Sequence, residues 1–188
     1  MRQHLIRNPL LLFAIGAAAA SAASCGEGAG GPATANGSAT VNGTRITLAH
    51  VAAYSTPAID DPTKKFVSIL VSDKPVGEEA FRKNITANPP MPLHVTGSWY
   101  MLHRYDKAFE GIYFTLAPDG QISNDGILVG DVDAAFSLAR SGALSADLKQ
   151  DGGRVRGQIK TTRDVQNSGA TVALDVTFDA PVVALTKK

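Results

Sequence analysis

Polar and apolar residues alternate with a period of two through the C-terminal third of the chain. Across 171–179, Val172, Leu174, Val176 and Phe178 fall on one side, while Thr171, Asp175, Thr177 and Asp179 fall on the other. Val155 and Ile159 oppose Arg154, Arg156, Gln158 and Lys160 in the same way, and 144–149 repeats the pattern. Successive side chains of a strand point to opposite faces, so this alternation predicts strands with one buried and one wetted face. Such strands belong to an antiparallel sheet. Asp151-Gly152-Gly153 supplies a hairpin turn between the first two of them. A second hairpin is predicted around Asn42-Gly43, between 39–41 and 44–51.

The middle of the chain is richer in apolar runs. Phe66 to Val71 alternates little and predicts a central strand covered on both sides. Across 93–101, Leu93, Val95, Trp99 and Met101 share one face and His94, Thr96, Ser98 and Tyr100 the other, which predicts a strand. A partner strand over 109–116 returns with Ile112, Phe114 and Leu116 facing opposite to Tyr113. The one predicted helix covers 77–87. Glu78 and Glu79 suit its positive N-terminus, Phe81 and Ile85 share a face, and Pro89, Pro90 and Pro92 stop it. It is expected to lie across one opening or edge of the sheet structure. Turn cues recur at Asp119-Gly120 and Asp125-Gly126, and 134–139 fits either a strand or one helical turn. The fold class is therefore all-β: an antiparallel β-sandwich, or alternatively a closed β-barrel, with one short helix. The same alternation serves both architectures.

Composition sharpens the organisation. The 188 residues are 44% hydrophobic and 19% charged, as in a globular protein, and suffice for one domain plus extra segments. The N-terminus has the three-part layout of a secretory signal peptide: Arg2 and Arg7, an apolar run from Pro9 to Ala20, then small residues. The run is too short to span a bilayer, which takes ~20 residues. Without Arg2 and Arg7, the balance of 18 basic and 17 acidic residues moves to one net negative charge. No basic stripe remains of the kind that nucleic acid requires, so nucleic acid is not an expected partner.

The only cysteine, Cys25, directly follows those small residues. Ala22-Ala23-Ser24-Cys25 resembles the lipobox of bacterial lipoproteins, with Ala22 where that family usually carries Leu. The resemblance implies cleavage before Cys25, a diacylglyceryl group on its sulfur and an acyl group on its new amine. Ordinary cleavage nearby, for instance after Ala22, is the alternative and would give a secreted protein. Residues 25–37 are rich in Gly, Ala, Ser and Thr and are expected to form a flexible tether. The organisation read here is thus 1–24 signal peptide, 25–37 tether and 38–188 one all-β domain.

Candidate chemistry is sparse. Gly26, Gly28 and Gly31 spell a dinucleotide fingerprint, but no strand precedes them. Asp60-Asp61 and Asp131-Val132-Asp133 lack the remaining ligands of a calcium loop. On a regular strand His94 and His103 point to opposite faces and cannot share zinc. No metal site or cofactor is expected. G-x-S-x-G and H-E-x-x-H motifs are missing from the sequence. Trp99, Met101, Tyr113 and Phe114 are the candidate lining of a pocket for an apolar ligand; otherwise they are simply core. The sequence is thus read as a non-enzymatic binding or structural module of the cell envelope. Lipid on Cys25 would anchor it to a membrane, with an envelope protein or a small apolar ligand as partner. A carrier of an apolar ligand in a barrel cavity is the alternative, and an envelope hydrolase the second.

Overall fold

The computed structural model describes residues 31–84, 92–136, 138–151, 153–167 and 169–185. The leader, Cys25 and the first part of the tether lie outside the described residues. Two β-sheets pack face to face, and two helices cover the far side of one of them.

In chain order the strands are β1 (Thr34–Val41), β2 (Thr44–Leu48), β3 (His50–Pro57), β4 (Lys65–Ser72), β5 (Gly111–Leu116), β6 (Ile122–Val129), β7 (Val132–Phe136), β8 (Leu144–Asp151), β9 (Arg154–Thr161), β10 (Val165–Asn167) and β11 (Ala170–Ala184). Helices α1 (Glu78–Asn84) and α2 (Pro92–Arg104) lie between β4 and β5. A 3-10 turn, Ala139–Ser141, precedes β8.

The long strand β11 joins the sheets. Its first part pairs antiparallel with β1 on one side and β9 on the other, placing β2-β1-β11-β9-β8 in the first sheet. Past Pro181 the strand crosses over, and Val182 to Ala184 pair in parallel with β3. The second sheet then runs β3-β4-β5-β6-β7, antiparallel throughout. A proline fits this corner because it cannot donate to a continuing ladder.

The all-β sandwich is what the alternation predicted, and the barrel alternative fails. Strands β7 and β8 do not pair with each other, so the structure is not closed into a barrel. The inter-sheet core takes the alternating positions foreseen in the C-terminal strands. Val155, Ile159, Val172, Leu174 and Val176 meet Val67, Ile69, Ile112 and Phe114 there. The Asn42-Gly43 hairpin forms between β1 and β2, with φ of 49° and 80° at its two central residues. Strand β4 is buried on both faces, as its lack of alternation implied.

Three local expectations fail. First, the tether is shorter than its composition suggested: Thr34 to Ser38 already belong to β1 and pair with β11. Second, the segment expected as a strand over 93–101 is part of α2. Val95, Trp99 and Leu102 are buried, while Tyr100, Met101 and Arg104 are exposed, which is helical spacing. Pro92 takes the first helical position, where its missing N–H costs nothing. Third, α1 does not lie over an opening or edge. Phe81 is buried in a second core, against the outer face of the second sheet.

Candidate functional site

That second core lies between the helices and the outward-facing residues of the second sheet. Tyr54, Leu70, Tyr113 and Leu128 rise from the strands to meet Phe81, Val95, Trp99 and Leu102. Tyr54 stacks on Phe81 with ring centroids 4.3 Å apart. Trp99 stands between Tyr54, Phe81 and Tyr113 at 6.2, 5.8 and 6.5 Å. Burial, reinforced by the Glu78 charge, pushes the Tyr54 phenol up to about 12, so the hydroxyl stays neutral at any physiological pH. The Tyr113 phenol is raised as well, first by burial and then by the charge of Asp125.

The four residues read as one pocket lining are divided among three environments. Trp99 and Tyr113 do meet, in the helix–sheet core. Phe114 faces the opposite way, into the inter-sheet core. Met101 is 44% exposed on the outer side of α2. The fifth sequence candidate, Cys25, lies outside the described residues.

On the helix-covered face of the second sheet is a polar seam that the alternation did not reveal. Ser68 and Thr115 are directly paired across β4 and β5, with their hydroxyls 3.3 Å apart. Thr56 is buried on the same face, and neither its Oγ1 nor the indole Nε1 of Trp99 has a hydrogen-bond partner. On α2, His94 is half-buried with its Nδ1 unpartnered. His103 instead sits between two backbone carbonyls. Its Nδ1 lies 2.9 Å from the Phe109 carbonyl and its Nε2 3.1 Å from the Gly130 carbonyl, and the nitrogen that carries the proton donates to its neighbour. Among the described residues no cluster of three or more His, Cys, Asp and Glu could hold a metal ion.

The open side of the sandwich carries the remaining chemistry. A cavity of about 430 Å³ lies between Gly120, Gln121 and Ile122 on one wall, and Leu144, Ala146 and Leu148 on the other. Ala139 and Arg140, on the 3-10 turn, also line it. Behind that turn Asp125 is buried at 2% exposure, and its Oδ2 accepts the Leu138 N–H at 2.8 Å. Burial pushes the Asp125 carboxyl up to about 6, against the lowering effect of hydrogen bonds from Leu138 and Ala139 and of the Arg140 charge. Nothing in the sequence marked Asp125 beyond its place in a turn-like Asp-Gly pair.

Asp125 has a thermodynamic consequence. The folded chain holds this proton more tightly than the unfolded chain does, so stability falls as pH rises from about 4 to about 6 and levels off above that. Asp125→Asn keeps an acceptor for Leu138 and removes the titration. The stability difference between wild type and variant should shift by about 2 kcal/mol in the variant's favour between pH 4 and pH 7. Urea unfolding at the two pH values measures this, and a pH-independent difference would contradict it.

No family model matches the chain, and neither a curated protein nor a solved structure does.

Proposed function

We propose that the protein is a cell-envelope lipoprotein: a non-enzymatic binding or structural module held at a membrane by lipid on Cys25. The observation that carries this reading is the position of the chain's single cysteine, directly after an apolar leader and its small residues. Two or more acyl chains give stable anchoring where one gives only marginal binding.

The point where the chain joins the body is consistent with a short leash. Arg154 donates to the carbonyls of Gly31 and Pro32 at 3.0 and 3.3 Å, and its Nε pairs with Asp179 at 2.8 Å. From Cys25 to Gly31 the backbone reaches at most roughly 20 Å, so a lipidated Cys25 keeps this end of the sandwich near the membrane.

Mass spectrometry of the mature N-terminus tests the proposal. Acyl mass is expected on the wild-type protein only, and Cys25→Ala should move it from the detergent phase to the aqueous phase. An unmodified N-terminus at Ala23, with equal partitioning of both proteins, would exclude lipidation.

A further inference from the structure

We propose that β8 pairs antiparallel with β8 of a second copy of this chain, about a two-fold axis through Leu148, so that the first sheets of the two copies join edge to edge. This goes beyond the functional reading above and does not depend on the lipid anchor.

The edge is open. Among the described residues β8 pairs with β9 alone, and β7, the last strand of the second sheet, does not pair with it. One step before β8, the Ala143 carbonyl accepts the Thr162 N–H at 2.7 Å, so residue 143 turns its backbone groups toward the β9 side. That orientation alternates along an antiparallel pair. Ser145, Asp147, Lys149 and Asp151 therefore bond to β9, while the N–H and C=O groups of Leu144, Ala146, Leu148 and Gln150 point outward. Such a row of free ladder groups is a template for another strand. The inner-face side chains of the same row are also uncovered. Leu144 and Leu148 are half-buried and Ala146 is exposed, whereas Val155 and Ile159 on β9 are fully buried.

The charges single out a second copy in one register. Outward groups must meet outward groups, so even-numbered residues face even-numbered ones. A two-fold axis at Asp147 sets Asp147 against itself. An axis at Lys149 sets Lys149 against itself and Asp147 against Asp151. Like charges directly opposed destabilise a sheet. An axis at Ala146 or Gln150 shortens the overlap within β8 to 144–148 or 149–151. An axis at Leu148 pairs 145–151 with its own copy: Leu148 meets Leu148, and Asp147 lies opposite Lys149 twice, once on each side of the axis. Both charged residues are exposed. Within the chain Lys149 lies opposite the like charge of Arg156, and Asp147 opposite the neutral Gln158. The second copy gives each an opposite charge. Exposed ion pairs add little affinity, so they set the register, while the backbone ladder and the Leu148 contact hold the strands together.

Sedimentation equilibrium and disulfide trapping test this on the full chain carrying Cys25→Ala, which takes no lipid and has no other cysteine. The chain should form a concentration-dependent dimer. Asp147→Lys should weaken it about tenfold, because both attractive contacts become repulsive. Adding Lys149→Asp to that variant should restore the dimer, since opposite charges face each other again. Both positions are exposed, so both variants should fold, which circular dichroism checks. Leu148→Cys should give a disulfide-linked dimer under mild oxidation. Ala146→Cys should not, because its two copies would lie about 14 Å apart along the strands and a disulfide needs Cα atoms within about 7 Å. A chain that stays monomeric up to its solubility limit would overturn the proposal. So would a dimer indifferent to Asp147→Lys, a double variant that fails to recover, or trapping through position 146 in place of 148.

Discussion

Trp99→Ala should cost about 3–5 kcal/mol of stability, the range for deleting a large aromatic from a packed core. Trp99 is fully buried and is the one side chain of α2 in ring contact with Tyr54, Phe81 and Tyr113 together. It therefore links α1, α2 and the outer face of the second sheet. Net stabilities of domains are only ~5–15 kcal/mol, so the loss would be a large share of the total. Trp99→Phe should be far milder. It keeps most of the packing and removes an indole N–H that has no partner in the folded state, a group whose burial itself costs ~1–3 kcal/mol. Chemical denaturation of the three proteins gives the comparison. If Trp99→Ala lowered stability by less than Trp99→Phe, the helix layer would not be held as described.

Gly37→Ala should destabilise the first sheet by about 1–3 kcal/mol, the usual cost of overpacking. Gly37 lies inside β1, opposite Val176 of β11. A Cβ added there would stand 2.5 Å from the Val176 Cα and collide with the Asp175 carbonyl oxygen. Both obstacles are backbone, so neither can rotate away, and β1 would have to lift from the strand that joins the two sheets. Gly43→Ala is the control for glycine substitution as such. It sits in the exposed β1–β2 turn with no atom within 4 Å of an added Cβ, although its φ of 80° still carries a conformational cost. Thermal unfolding should rank Gly37→Ala below Gly43→Ala. The reverse order would mean that 34–38 behaves as a tether after all.

The division of Trp99, Met101, Tyr113 and Phe114 shows how far the candidate site was legible. Alternation over 109–116 correctly separated Tyr113 from Phe114, since neighbours on a strand must face apart. It could not reveal that the face bearing Tyr113 would be roofed by helices and become a core of its own. The 430 Å³ cavity was not visible in the sequence either. Its lining comes from the start of β6 with the turn before it, from the 3-10 turn and from β8, segments up to about 28 residues apart that carry no local sign of meeting.

The sequence by itself determined the pleated character of the chain. The period-two patterns of β8, β9 and β11, the apolar run of β4 and the Asn42-Gly43 turn depend on neighbours a few residues apart, and each formed where its pattern lay. Only the tertiary structure decided the rest. Val95 and Trp99 satisfy both a strand's spacing and a helix's, and the apolar outer face of the second sheet selected the helix because a helix could cover it. The stretch of small residues at 34–38 gained order from the backbone of β11, which its own side chains could never have supplied. Sandwich and barrel demand the same alternation from every strand. They differ only in whether β7 meets β8, a contact between residues whose local patterns carry no record of each other.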